Sequence, residues 1–334
     1  MNPDILHLLD PEGIIERCFP GAVSQQSTRV SIRSLSTRLD HQVYDCVVNV
    51  KGDSQRRIVK RIWAPGGMSM EAKVYQAGIR SIRTLLPKAY AVWNEDGWDW
   101  LALEHVDTLP RLESPEQMED LLRLAARFHT GALSDADDNP WLADSQFTAQ
   151  KRTDSRRISR LMASLRDEPE YRALLGPSYE LVCSMLVKIP PLVARVCTER
   201  LTIVHGDLHW HNAGMDTSGR LVLFDWEACQ LAPPTWDLAE LVDGTIDYDP
   251  HWLETQDEIR RWALSVYEES SERAGRSLDQ RLFLESYELS YIWHALDSWL
   301  WFHLKQASQG SDVSKCVLAA CLEKLRLWGS RYTH

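Results

Sequence analysis

The chain has 334 residues, with 37 Lys and Arg against 48 Asp and Glu, for a formal net charge of −11. Its 44% hydrophobic and 25% charged content, with 16 Gly and 15 Pro, excludes a collagen-like, low-complexity or wholly disordered chain. The length suggests about two domains of roughly 150 residues, and the acid excess excludes a general nucleic-acid binder, which needs a basic face. The charge is uneven. Residues 1–100 hold 13 Lys and Arg against 11 Asp and Glu, so the acid excess falls on the remainder. Seven cysteines, with no CxxC pair, predict reduced thiols in a cytoplasmic protein. No signal-peptide pattern opens the sequence, and no apolar run of about 18 residues predicts a membrane span.

In chain order, Val43 to Gly52 and Arg56 to Trp63 are β-branched runs around the turn Gly52-Asp53-Ser54, which predicts a hairpin. MSMEAKVYQAG predicts a short helix stopped by Gly78. PKAYAVW and WDWLALEHV predict two more strands around Asn94 to Gly97. After Pro110 the texture changes. Ser114-Pro115-Glu116 is a helix start, followed by an apolar stripe of Leu121, Leu124, Ala125 and Phe128. A polar loop is expected over 135–157, then helices near 158–175 and 178–188, interrupted by Pro190-Pro191. From about 233 the pattern is helical almost throughout. Between the helical parts, Leu201 to Glu227 reads as loop, strand, a Ser218-Gly219 turn and a second strand.

That insert concentrates the polar chemistry. Phosphoryl transfer from a nucleotide needs a carboxylate at the attacking hydroxyl, and an amide and a carboxylate on Mg²⁺. It also needs a lysine on the phosphates, aimed by a glutamate. The kinase pattern places these as Asp, four residues, Asn, then a strand ending in Asp. Asp207, Asn212 and Asp225 follow that order, with Lys60 in the strand IVKRI and Glu71 on the next helix upstream.

HGDLHWHN, LFDWE and TWDLAEL together resemble the aminoglycoside phosphotransferase and choline kinase family of small-molecule kinases. The resemblance extends to Lys60, Glu71, LALEHV and ARFH (Ala126 to His129), and covers roughly residues 25–300. It implies an α+β, protein-kinase-like two-lobe fold. A small antiparallel sheet with one helix would form a nucleotide-binding lobe over 1–106, and 107–334 a mostly helical lobe with the catalytic loop and acceptor site. It implies ATP or GTP with Mg²⁺, and a γ-phosphate passed to a small-molecule hydroxyl. In that scheme Asp207 is the catalytic carboxylate. Asn212 and Asp225 bind Mg²⁺, Lys60 holds phosphates and Glu71 orients it. The backbone of Glu104 to Val106 pairs with the base, and His205 and Asp237 brace the catalytic loop.

Two departures stand out. The turn expected to cover the phosphates, Ser34 to Tyr44, has no glycine, which leaves Ser36 and Thr37 as its candidate donors. Trp210-His211 stands where the family often has Pro-Gly. Other classes also read onto the sequence. His205 and Asp207, with His251 or His294, suggest a non-haem iron triad, and His205, His209 and His211 suggest zinc. A third reading is a degenerate module that binds nucleotide without turnover. On the acceptor side, Trp293, Asp297 and Trp301 form an i, i+4, i+8 stripe beside His294. This is either an ammonium seat or ordinary core. Glu227 joins these candidate acceptor contacts, and Asp243, Asp247 and Asp249 are either further acceptor-side charge or a solvated turn. The resemblance implies a small hydroxyl compound as acceptor, and the acid excess favours a cationic one. The expected assembly is a monomer or homodimer.

Overall fold

A computed structural model describes residues 16–20, 29–50, 52–145, 156–196, 201–248 and 250–333. Within it the chain forms two compact units. One gathers the described residues up to Leu109 together with His211–Ala228; the other is Pro110–Trp210 and the chain from Cys229 onward.

The first unit is built on β1 (Arg29–Thr37), β2 (His41–Val50), β3 (Asp53–Trp63), helix α1 (Met70–Ala77), β4 (Ala89–Glu95) and β5 (Trp98–Glu104). The strands make one antiparallel sheet in the order β1-β2-β3-β5-β4. Side chains alternate across a strand, and the sequence uses both faces. Tyr44, Cys46 and Val48 of β2, Val59 of β3, and Trp100 and Ala102 of β5 turn to one side and bury with Cys18 and Phe19. Val43, Ile58, Lys60 and Leu103 turn to the other. The predicted Asn94 to Gly97 turn narrows to Asp96-Gly97, both at positive φ (52° and 78°), as a two-residue hairpin of strand-matching twist requires. Ser69 caps α1, its Oγ accepting the Ala72 N–H at 3.4 Å, and Gly78 ends it in the left-handed region. The Ser69 N–H in turn donates to the buried Asp99 carboxylate at 2.5 Å, which ties the start of α1 to the sheet.

The downstream segment adds a hairpin, Ala213–Met215 with Leu221–Leu223, that pairs with Asp107–Thr108. The pairing is close. A Cβ on Gly214 would lie 2.5 Å from the Asp107 carbonyl oxygen and 2.5 Å from Val106 Cγ1. Gly214→Ala is therefore expected to push the 106–107 backbone away and cost about 1–3 kcal/mol, as other overpacked substitutions do. A melting experiment checks this, and an unshifted midpoint would show that the connection yields freely.

In the second unit a two-stranded ribbon, Thr202–Val204 with Gln230–Ala232, sits among helices. The helix Glu119–Asp138 buries the predicted stripe of Leu121, Leu124, Ala125 and Phe128. Its start is one 3₁₀ turn later than Ser114 suggests. Pro115–Met118 forms that turn, and Gln117 Oε1 accepts the N–H groups of Glu113 (2.6 Å) and Ser114 (3.4 Å). Three expectations are corrected. The polar 135–157 stretch is not one loop: the helix runs to Asp138, a 3₁₀ stretch covers Pro140–Ser145, and a new helix starts at Arg156, with 146–155 outside the described residues. Pro190-Pro191 does not interrupt its helix, which runs Tyr179–Val196. Val182, Met185 and Leu186 before the prolines and Leu192 after them are all buried, and that packing outweighs the hydrogen bonds the prolines cannot make. Asp243 is not part of a solvated turn. It is fully buried and binds Arg260 (Nη2 at 2.7 Å), Lys324 (2.9 Å) and the Tyr287 hydroxyl (2.5 Å). Asp249 lies outside the described residues. Two five-residue π turns, Glu240–Gly244 and Ala295–Trp299, interrupt the helices of this unit. Among the described residues no helix is long and apolar enough to cross a membrane.

Candidate functional site

The first unit holds a cavity of about 480 Å³ on the sheet face opposite its core. Its apolar lining comes from Leu35, Val43, Ile58, Leu103, Val106 and Phe224. Lys60, Glu71 and Asp225 meet in its lining, with His41, Arg33, Arg56, His105 and Asp107 also lining it. This size and mixture suit a small organic ligand with both apolar and charged parts.

Lys60 sits between two carboxylates. Its Nζ contacts Glu71 Oε2 and lies 2.5 Å from Asp225 Oδ1. Lys60 is 5% exposed and Glu71 1%. Burial alone would push the lysine down, but Glu71 and Asp225 outweigh it and hold the ammonium above its usual range. The buried cation is thus fixed in place by the cap and the Asp99 tie that set α1.

Asp225 adopts φ 66°, in the left-handed region that non-glycine residues seldom enter. Such backbone persists where its surroundings enforce it. Here the Leu223 N–H donates to Leu85 O at 2.7 Å, the Phe224 N–H to Asn212 O at 3.0 Å, and the fully buried Trp226 indole to Leu223 O at 2.9 Å. The same hairpin brings Asn212 and Asp225 to one end, since Ala213 pairs with Leu223. At the other end Asp216 accepts from Ser218 and Arg220, and these hydrogen bonds outweigh burial to hold its carboxyl at about 2. Glu104 Oε1 takes the Thr217 hydroxyl and N–H, and Oε2 the Lys88 N–H at 3.4 Å. The Glu104 side chain is therefore a tie. Beyond it, no protein group among the described residues pairs with the Val106 backbone at the cavity wall. Ser36 and Thr37 do not line the cavity.

In the second unit Asp207 follows the ribbon strand on a loop held by Asp237. That fully buried carboxylate accepts the His205 N–H at 2.7 Å and the Gly206 N–H at 2.8 Å, where Gly206 turns at φ 86°. It also meets His129 Nε2 at 3.0 Å, while His129 Nδ1 meets the Tyr267 hydroxyl at 2.9 Å. Asp237 thus ties the Asp207 loop to His129. His205 joins it through its backbone. His129 and Tyr267 lie outside the residues the sequence marks as site candidates; the signal for His129 is the ARFH motif, which it closes. Asp207 itself is half exposed, with His209 Nε2 3.6 Å from its Oδ2.

The acceptor-side candidates separate. Trp293, His294 and Asp297 are buried. His294 stacks on Trp299 (5.3 Å, 13°) and against Trp236 (4.2 Å), with Nδ1 3.1 Å from Glu240 Oε2. The π turn at 295–299 adds a residue to the helical count, so Trp301 leaves the stripe. Its ring meets Arg160 at 4.9 Å and Lys305 at 5.2 Å, the protein's own cations. Glu227 belongs to the first unit, half exposed, 3.8 Å from His41.

A nucleotide and its cation fit the first unit's residues. The cavity has apolar walls for a base, a fixed ammonium for phosphate, and an amide–carboxylate pair at one hairpin end. Two protein ligands suffice for Mg²⁺, which keeps waters and takes phosphate oxygens. Among the described residues no group of three or more His, Cys, Asp or Glu is arranged to hold a metal by itself, and this leaves the iron and zinc readings without a ligand set.

Comparison with curated proteins finds no sequence match. Solved structures do match. An ethanolamine kinase of Plasmodium vivax aligns with TM-score 0.55 at 12% identity, over 97% of this chain and 88% of that one. Choline kinase LicA of Streptococcus pneumoniae aligns with TM-score 0.53 at 17% identity, over 96% and 100%. A choline kinase of Cryptosporidium parvum gives 0.52 at 14%, over 97% and 98%. At these identities the likeness is one of fold, and it is the predicted protein-kinase-like fold. The sequence model of the phosphotransferase enzyme family matches residues 47–272. With the match spanning more than half its length, the chain belongs to the phosphotransferase enzyme family.

Proposed function

We propose that the protein transfers the γ-phosphate of ATP, or GTP, to a hydroxyl of a small molecule in the cytoplasm, with Mg²⁺. The observation that carries this reading is Lys60, buried between Glu71 and Asp225 in the lining of an apolar-walled cavity. A buried cation with fixed counter-charges is a phosphate anchor in waiting, because a polyphosphate can replace one carboxylate without leaving the lysine unpaired. Bound magnesium nucleotide would supply the electrophilic phosphoryl group. Asn212 and Asp225 would hold the cation, Glu71 would keep Lys60 aimed, and the Glu104 to Val106 backbone would pair with the base. Asp207 would orient the acceptor hydroxyl and take its proton, on a loop that Asp237 holds rigid. The chain's contribution is positioning and charge stabilisation.

The acceptor class stays broad: aminoglycosides and other antibiotics, amino alcohols, nucleosides and sugars all present a suitable hydroxyl. The test is Mg²⁺-dependent ADP release from ATP across a panel of such compounds, beside a thermal-shift screen with nucleotide. Phosphoryl transfer to any of them supports the proposal; nucleotide binding without transfer favours the degenerate module, and neither binding nor transfer removes both. Lys60→Ala is expected to lower turnover about 10²–10³-fold, the scale of losing one preorganised electrostatic group. Initial rates at saturating ATP check this.

A further inference from the structure

The turn between β1 and β2 should cover the phosphates, yet it has no glycine. Its backbone is also engaged within the protein: the Arg38 N–H donates to His41 O at 2.8 Å, and Asp40 O accepts the Trp63 N–H at 2.8 Å. The hydroxyl candidates Ser36 and Thr37 do not line the cavity. From this part of the chain, Leu35, His41 and Val43 do.

His41 opens β2. The register pairs it with Ile62 and pairs Val43 with Lys60, so His41 stands diagonal to Lys60. The period of two puts His41, Val43 and Lys60 on the cavity face together. Burial, reinforced by the Lys60 charge and opposed by Asp225, holds the ring's pKa below its ordinary value. The side chain is 13% exposed, and its Nε2 is buried with no hydrogen-bond partner among the described residues. Nδ1 lies 3.8 Å from Glu227 Oε2, beyond hydrogen-bond reach. A buried ring nitrogen without a partner is costly, and most such groups in native proteins are hydrogen-bonded.

We infer that His41 is a phosphate-binding side chain, doing with its ring nitrogen what the backbone of a glycine-bearing turn would do. The inference rests on the nucleotide reading above and deepens it. The ligand chemistry is an anionic phosphate oxygen accepting the imidazole N–H, a charge-assisted hydrogen bond. His41 is a contact to the β- or γ-phosphate side of the ligand, beside Lys60, and makes no contact with the base.

Calorimetric titration of adenosine, ADP and the non-hydrolysable analogue AMP-PNP, with Mg²⁺, tests it on the full chain, His41→Ala and His41→Gln. The expected result is a loss of AMP-PNP affinity of about tenfold or more in His41→Ala, an unchanged adenosine affinity, and partial recovery in His41→Gln, which restores a donor. Equal AMP-PNP affinity in all three proteins overturns the inference and leaves the nucleotide reading standing. Parallel losses for adenosine and AMP-PNP overturn it too, because His41 would then only shape the cavity wall. A parent chain that binds none of the three removes the nucleotide reading itself. Melting curves of both variants establish that they are folded, and His41→Gln keeps the test valid should His41→Ala not fold.

Discussion

Asp207→Ala is expected to lower kcat by about 10²–10⁴-fold, the range of a positioned general base, while the nucleotide Kd stays where it was. The separation follows from where the carboxylate lies. Asp207 belongs to the second unit and the cavity to the first, and the Asp207 loop is held by Asp237 through the backbones of His205 and Gly206. If Asp207 is the proposed proton acceptor, truncating it removes that group and leaves the scaffold. Asp207→Asn should be nearly as slow, since an amide keeps the shape and loses the basicity. Initial-rate kinetics and calorimetry on the same preparations check both halves. Undiminished turnover would sink the role of Asp207; a parallel fall in nucleotide affinity would mean that the substitution had disturbed more than the loop.

Asp243→Asn is expected to be the most destabilising polar substitution in the second unit. It leaves Arg260 and Lys324 buried without their shared counter-charge, a loss on the scale of about 3–5 kcal/mol. Burial opposes the Asp243 charge, but Arg260 and Lys324 overcome it and hold its carboxyl well below the usual carboxylate range. Its folded pKa is thus below its unfolded value of about 3.9. The stabilisation is present in full above the unfolded value and fades as pH falls through it toward the folded one. Denaturant melts at pH 7 and below pH 4 should show parent and variant well separated at the first and closer at the second. A gap that widens in acid would overturn the assignment.

The sheet was legible because its signals are local. Alternation in VYDCVVNV, the Asp96-Gly97 turn and the Gly78 stop each act within a few residues. The candidate site is marked in the sequence by residue types in the order the chemistry demands, from Lys60 to Asp225, and the structure brings Lys60, Glu71 and Asp225 together. What escaped depends on distant partners or on single-residue register. Asp243 reads as one acid in a polar run because Arg260, Tyr287 and Lys324 are 17, 44 and 81 residues away. The aromatic stripe failed at Trp301 because a count of 3.6 per turn cannot see one extra residue in a π turn. Pro190-Pro191 misled because propensity weighs the lost hydrogen bonds but not the burial on both sides. His41 carries no local mark, because in a phosphate-covering turn the readable signals are glycine and hydroxyls, not a single histidine.

The first unit is assembled from two stretches of chain that are far apart, and this has a consequence for its biosynthesis. The ribosome delivers β1 to β5 and α1 long before Phe224 and Asp225. At about 5–20 residues per second the interval of some 120 residues lasts on the order of ten seconds. During that time Lys60 has Glu71 as its partner but not Asp225, and the apolar cavity wall lacks Phe224. The nascent sheet is therefore an incomplete domain that must wait for the hairpin, and a fragment ending at Leu109 should be retained by chaperones instead of folding to a nucleotide-binding unit.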